Sequence, residues 1–103
     1  MLTFNLKKEW YEKIKSGEKT HEYREAKPYW TKRICNYFDL DDENIFFEGH
    51  QLPIQFVLGY TREYMLARVT SISVINGKDT DLKFDGDVFD IEFELIKEAN
   101  DAN

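Results

Sequence analysis

Cysteine is scarce in this sequence, and its scarcity excludes two kinds of site. The single cysteine, Cys35, rules out a disulfide within the chain and favours a reducing compartment. His21 and His50 are the only histidines, so nitrogen and sulfur ligands are too few for a tetrahedral metal site. We therefore expect Cys35 to be a small buried thiol, and we expect neither a metal nor another cofactor.

Long apolar runs and the common catalytic motifs are also missing. No stretch approaches the roughly 20 apolar residues that cross a bilayer, and the N-terminus lacks the basic and then apolar order of a signal peptide. The sequence contains no Gly-x-Ser-x-Gly motif and no phosphate-binding glycine loop. These absences predict a cytoplasmic protein without membrane contact, in which any chemistry depends on polar side chains carried by strands.

Basic charge is lacking over most of the chain, although the net charge of −6 hides an uneven distribution. Residues 1–33 contain nine Lys and Arg against five Asp and Glu, whereas residues 34–103 contain five against fifteen. A protein that binds a nucleic-acid duplex normally has an excess of basic residues. A nucleic acid would therefore contact this chain locally, through its N-terminal third, and the acidic remainder would suit a basic protein partner.

Apolar side chains are plentiful: 42% of the 103 residues are hydrophobic and 16% are aromatic. This composition predicts one domain over residues 1–98, followed by a tail at 99–103 that should fray. Alternating patterns predict strands at 2–6, 54–58, 65–75 and 88–96, and a helical period predicts helices at 7–16 and 28–38. We expect an α+β fold in which five to six mostly antiparallel strands curve towards a small β-barrel, with two short helices near the N-terminus.

Two glycines mark predicted turns. Gly17 follows an apolar helical stripe formed by Leu6, Trp10 and Ile14. A residue without Cβ can take the left-handed conformation that closes a helix, so Gly17 should end the first helix. The Asn76-Gly77 pair is typical of a tight turn with positive φ.

The segment from Gly17 to Glu25 carries the most specific pattern. After Gly17 the sequence changes to a two-residue repeat, which places Thr20, Glu22 and Arg24 on one face of a strand. Lys19 is out of phase with Glu22, so the two meet only if the backbone turns before the strand. These charges either form surface ion pairs, worth at most about 1 kcal/mol each, or hold one polar ligand between them.

The same segment carries a family resemblance. Gly17, Lys19, Glu22 and Arg24 form a Gly-x-Lys-x-x-Glu-x-Arg motif between an amphipathic helix and a helix that begins at a proline. This arrangement resembles the ASCH (activating-signal-cointegrator homology) domain, and Gly59-Tyr60-Thr61-Arg62 and the last strand look like the rest of that domain. The resemblance implies a small PUA-like β-barrel in which the motif lines a cleft for RNA or a nucleotide-like ligand.

Seven residues are the candidate ligand contacts. An ionised Glu22 would accept from the amino and imino groups of a base, while Lys19 and Arg24 would hold a phosphate or a keto oxygen. Aromatic side chains would stack on the base. The full set is Lys19, Thr20, Glu22, Arg24, Trp30, Tyr60 and Arg62. The leading hypothesis is an RNA-binding or nucleotide-binding module whose partner is RNA or a modified nucleoside, with the oligomeric state left open.

Two other functions remain as alternatives. One branch of the family that the motif resembles hydrolyses N4-acetylcytidine with a Lys and a Thr. Lys19 matches that Lys, but Glu22 occupies the position of the Thr. Other members are ribonucleases, and the resemblance then makes Lys19 and Tyr60 candidate catalytic residues by analogy. The alternatives are therefore an RNA-processing or nucleoside-processing hydrolase, and an acidic protein-interaction module.

Overall fold

The computed structural model describes residues 1–41, 47–48 and 52–96. In chain order its elements are β1 (Leu2–Leu6), α1 (Lys8–Lys15), β2 (His21–Glu25), α2 (Pro28–Phe38), β3 (Phe47–Glu48), β4 (Pro53–Leu58), β5 (Tyr64–Asn76), a 3₁₀ helix (Gly77–Asp79) and β6 (Asp87–Leu95). The predicted α+β class, with two short helices near the N-terminus and five to six strands, is confirmed. The predicted tail at 99–103 lies outside the described residues.

The strands form one mixed sheet in the order β1-β4-β5-β6-β2, and the two-residue β3 pairs with β5. β1 runs parallel to β4, whereas the other pairs are antiparallel. A register shift between Val69 and Ser71 in β5 marks a β-bulge, which increases the local twist. The sheet curls into a half-barrel with β1 and β2 as its end strands, so the described strands do not close the barrel.

The hydrophobic core joins both helices to this sheet and is rich in aromatic rings. Phe4 on β1 stacks on Trp30 of α2, with ring centroids 5.2 Å apart. Phe56 on β4 lies 5.9 Å from Phe4 and 4.8 Å from Phe93 on β6. Each such side chain contributes about 1.5–3 kcal/mol when it is fully buried. Cys35 is buried as well, as predicted.

Helix α1 ends where the sequence predicts. It spans Lys8–Lys15, one residue shorter at each end than the predicted 7–16. Gly17 follows with a φ of +86°, which confirms the left-handed conformation expected there. Ile14 is buried and Trp10 packs against the core, as the predicted stripe requires. Tyr11 is buried too, although it lies outside that stripe.

Helix α2 also follows its sequence signals. Lys27 is extended and Pro28 is the first helical residue, where the missing backbone N–H costs nothing. Ile34 and Phe38 are buried, while Trp30 and Tyr37 pack against the core, so the predicted apolar face is confirmed. This packing fixes Trp30 beside β1.

The connection between β5 and β6 differs from the prediction. The positive φ expected at Asn76-Gly77 is wrong: Asn76 has a φ of −77°, and its side chain accepts a hydrogen bond from the Lys78 N–H at 2.8 Å. A positive φ of 50° occurs later in this connection, at Lys83. A Cβ at Gly77 would lie 2.5 Å from Cγ1 of Val88. Close packing, rather than a left-handed turn, therefore requires glycine at this position.

Within the described part of the chain, neither helix has the length and apolar character needed to span a bilayer.

Substitutions at Gly17 and Gly77 should separate these two reasons for glycine. A Cβ at Gly17 would meet no atom within 4 Å, so Gly17→Ala should cost only the left-handed strain. That strain is about 1–2 kcal/mol of unfolding free energy, and Gly17→Asn should cost less because asparagine tolerates the conformation. Urea unfolding of both variants measures the difference.

At Gly77 we expect the opposite result, namely that asparagine destabilises the fold more than alanine does. Gly77→Ala forces Val88 to move, and such overpacking costs about 1–3 kcal/mol. Gly77→Asn adds more atoms to the same crowded place and should be less stable than Gly77→Ala. The explanation would be contradicted if Gly77→Asn lost less unfolding free energy than Gly77→Ala. It would also be contradicted if Gly17→Ala and Gly17→Asn lost the same amount.

Tyr11 makes the stability of the fold depend on pH. Burial of the phenol, together with the charge of Glu63 and a hydrogen bond to it, raises the pKa of Tyr11 to about 12. The folded pKa thus lies above the ordinary value of 10.0. The neutral phenol therefore stabilises the fold fully below the unfolded pKa, and this contribution is lost as the pH rises through the folded pKa.

Tyr11→Phe should consequently lose stability less steeply between pH 10 and 12 than the unaltered protein. The difference in unfolding free energy between the two should change by roughly 1–3 kcal/mol over this range, at about 1.4 kcal/mol per pKa unit. Denaturant unfolding across the range measures it, with Tyr60→Phe as the control because the Tyr60 side chain is fully exposed. Parallel declines for Tyr11→Phe and the unaltered protein would contradict the prediction.

Candidate ligand-binding site

A cavity of about 350 Å³ is lined by residues from both end strands of the half-barrel. Helices α1 and α2 and the connection between β5 and β6 complete its wall. The lining residues are Asn5, Leu6, Lys7, Trp10, Lys19, Glu22, Tyr23, Arg24, Trp30, Asp81 and Leu82. Four of the seven predicted contacts, Lys19, Glu22, Arg24 and Trp30, are therefore brought together here.

The three charged residues of the motif meet at Glu22. Its side chain is buried, with 5% of the residue exposed. The Lys19 Nζ lies 3.6 Å from Glu22 Oε1, and the Arg24 Nη1 lies 3.3 Å from Glu22 Oε2. Lys19 reaches this position because the chain turns after Gly17, where the Lys19 N–H donates to the Lys13 carbonyl at 3.0 Å. The expected convergence through a turned backbone is confirmed.

Glu22 uses little of its capacity to accept hydrogen bonds. Oε1 accepts from the N–H of Tyr23 at 3.1 Å. Oε2 is buried and accepts no hydrogen bond from the described residues, although the Arg24 Nη1 lies 3.3 Å from it. A carboxylate offers about four acceptor positions, and an unsatisfied buried acceptor costs about 1–3 kcal/mol.

Arg24 connects the two end strands of the sheet. Its Nη1 donates to the carbonyl of Tyr23 at 3.2 Å, and its Nη2 donates to the carbonyl of Asn5 on β1 at 3.5 Å. The guanidinium carbon lies 5.1 Å from the ring centre of Phe4 and 5.2 Å from that of Trp30. A planar guanidinium can make these ring contacts and still present N–H groups at its edge, which a lysine cannot.

Lys19 has a second carboxylate partner, Asp81, from the connection between β5 and β6. The ammonium also lies 5.5 Å from the Trp10 ring centre and 4.9 Å from the Tyr23 ring centre. Burial, followed by the charges of Asp90, Asp81 and Glu22, raises the pKa of Tyr23, so its phenol stays neutral in the physiological range. Two carboxylates and two aromatic rings therefore hold the Lys19 side chain, which is 8% exposed.

A second, smaller hollow of about 270 Å³ adjoins the cavity and shares Trp10, Lys19, Tyr23 and Asp81 with it. Thr20 lines this side hollow and not the cavity. It is exposed and lies just before β2, so it does not join the strand face on which the alternation places it.

Tyr60 and Arg62 lie elsewhere. Both are exposed in the connection between β4 and β5, and neither lines the cavity or the side hollow. Lys19 and Tyr60, the two candidate catalytic residues, are therefore not brought together.

Sequence reasoning missed Asp81 at this site. It is one of many carboxylates in an acidic chain, and it lies 62 residues from Lys19, so no local pattern identifies it. Trp10, a member of the predicted apolar stripe, packs against the core as that stripe requires, but it also lines both spaces.

No group of His, Cys, Asp and Glu side chains in the described residues is arranged to hold a metal ion. Comparisons of the chain with protein-family models, with curated proteins and with solved structures each find no match, so the site is interpreted from its own geometry.

Proposed function

We propose that this protein is an RNA-binding or nucleotide-binding module of the ASCH and PUA-like type, which holds a base or a short single strand in the cavity. The observation that carries the proposal is the convergence of Lys19, Glu22 and Arg24 on one cavity with aromatic walls. The Gly-x-Lys-x-x-Glu-x-Arg motif that resembles the ASCH domain consists of these same residues and Gly17.

The cavity has the size and the chemistry of a small-ligand site. Its volume of about 350 Å³ is at the lower end of the roughly 300–1,000 Å³ typical of such sites. Glu22 would accept from the N–H groups of a base, and Lys19 and Arg24 would donate to its oxygens. Trp10 and Trp30 supply aromatic surface beside these groups, although the Trp30 ring already stacks on Phe4. Aromatic surface is the usual means of holding an unstacked base.

Charge outside the cavity favours a short ligand. On α2, Lys32 and Arg33 are exposed, and Arg33 lies 5.3 Å from the ring centre of Tyr29 and 5.8 Å from that of Trp30. These cations would contact the backbone of a strand whose base enters the cavity. Residues 34–103 contain fifteen acidic against five basic residues, which opposes a long nucleic-acid track.

The hydrolase alternative has less support from this geometry. Tyr60 lies outside the cavity, so the pair of Lys19 and Tyr60 that the ribonuclease analogy needs is not assembled there. Binding without turnover is accordingly the function that we favour.

Arg24→Ala should weaken binding of a short single-stranded RNA by about tenfold to a hundredfold, since one or two charged hydrogen bonds are lost. Arg62→Ala removes the same charge from an exposed position outside the cavity and should change affinity little. Fluorescence anisotropy with a labelled RNA of mixed sequence measures both affinities at one fixed salt concentration.

Circular dichroism spectra and melting curves should show that both arginine variants are folded. Equal affinities for the unaltered protein, Arg24→Ala and Arg62→Ala would contradict the assignment of the cavity. Equal losses in the two variants would indicate binding by overall charge instead of by this site.

A further inference from the structure

The charged groups in the cavity balance one another. Lys19 and Arg24 supply two positive charges, and Glu22 and Asp81 supply two negative charges, all within one connected set of ion pairs. Lys7 also lines the cavity, but it is exposed. A phosphate in the cavity would have to compete with carboxylates that both inner cations already contact. A neutral ligand with donors and acceptors would leave this balance of charge unchanged.

The order of the polar groups is donor, acceptor, donor. The Lys19 ammonium lies on the Oε1 side of Glu22 and the Arg24 guanidinium on the Oε2 side. The carboxylate between them lacks hydrogen bonds on Oε2. The complementary ligand edge presents acceptor, donor, acceptor, which is the chemistry of an imide: one N–H between two carbonyl groups.

We propose that the cavity recognises the imide edge of a uracil-type base, an inference that rests on the proposed function. The base N3–H would donate to Glu22, and the two carbonyl oxygens would accept from Lys19 and Arg24. Trp10 and Trp30 lie beside the charged set and would cover the ring. The phosphate and ribose would remain outside, on the side of the exposed cations of α2.

Other bases fit this order less well. Cytosine presents an acceptor at N3, which would face the Glu22 carboxylate. Guanine presents one acceptor followed by two adjacent donors, so its second donor would face one of the two cations instead of an acceptor. A site built to bond a ligand N–H rejects an analogue without it, because its own buried group is then left unpaired.

The test uses the unaltered protein and four small probes: uridine, 3-methyluridine, cytidine and inorganic phosphate. Titrations followed by NMR chemical shifts of the Trp10 and Trp30 indole N–H groups report binding at the cavity. Uridine should bind, and 3-methyluridine and cytidine should bind about tenfold more weakly or worse, as expected for one lost hydrogen bond to a charged group. Phosphate should neither shift these signals nor displace uridine.

Binding of 3-methyluridine as tight as that of uridine would overturn the inference, as would displacement of uridine by phosphate. Absence of uridine binding at millimolar concentration would overturn it as well. None of these readouts depends on a variant that could fail to fold.

Oligonucleotides separate this inference from the proposed function. Short uridine and cytidine homopolymers are compared with the unaltered protein and with Arg24→Ala. Equal affinity for the two homopolymers, lost in Arg24→Ala, would overturn the imide inference and leave the proposed function standing. No binding of either homopolymer or of the mixed RNA would overturn both.

Glu22→Gln should reduce the preference for uridine over cytidine, because an amide presents a donor as well as an acceptor. Glu18→Gln is the matched control, since Glu18 is exposed and lines the side hollow but not the cavity. A folded Glu22→Gln variant with an unchanged preference would contradict the role assigned to Glu22.

Discussion

The N-terminal third of this fold depends on neutralising one buried carboxylate. Glu22 is 5% exposed, and leaving such a group without one of its partners costs about 3–5 kcal/mol. That is a large fraction of the roughly 5–15 kcal/mol by which a domain is stable. Lys19 reaches Glu22 through the turn at Gly17, and Arg24 reaches it from the same strand. The end of α1, the turn and the start of β2 are therefore constrained together.

The same side chains also close the open side of the half-barrel. The end strands of a sheet present unpaired backbone groups and are normally protected. Here the Arg24 side chain reaches from β2 to the carbonyl of Asn5 on β1, and its guanidinium rests against Phe4 and Trp30. One hydrogen bond of 3.5 Å and these ring contacts therefore link the two end strands. The cavity lies between these two end strands.

The sequence predicted the local features of this arrangement, because local features depend on neighbouring residues. Gly17 ends α1 through its own backbone preference, and Pro28 begins α2 through its fixed φ. The two-residue repeat predicted a strand where β2 lies, from His21 to Glu25. Lys19 does not fit that repeat, which indicated that its side chain and that of Glu22 meet only if the backbone turns before the strand. These signals were sufficient to bring Lys19, Glu22 and Arg24 together.

Contacts between distant parts of the chain could not be predicted in the same way. The pairing of Lys19 with Asp81 depends on how the connection from β5 to β6 folds back over β2, and no periodic pattern encodes that path. Gly77 shows the same limit, since its need for glycine comes from Val88 on the next strand and not from its own φ. Tyr60 and Arg62 were predicted from their side-chain types and from the resemblance, and their distance from the cavity depends on the connection between β4 and β5.

Glu22 Oε2 accepts no hydrogen bond from the described residues, and this is the observation that separates our binding proposal from a purely structural ion cluster. Buried ion pairs contribute little net stability compared with apolar side chains of similar volume. A gain in stability alone therefore explains poorly why Glu22 and its partners are buried. Its hydrogen-bonding capacity is left unused on the side of Arg24, next to a cavity, in a domain whose other described buried side-chain polar atoms have partners. A buried acceptor without a hydrogen bond calls for a physical explanation, and the explanation that we propose is a ligand in the cavity. The donor, acceptor, donor order then limits which ligand can complete it.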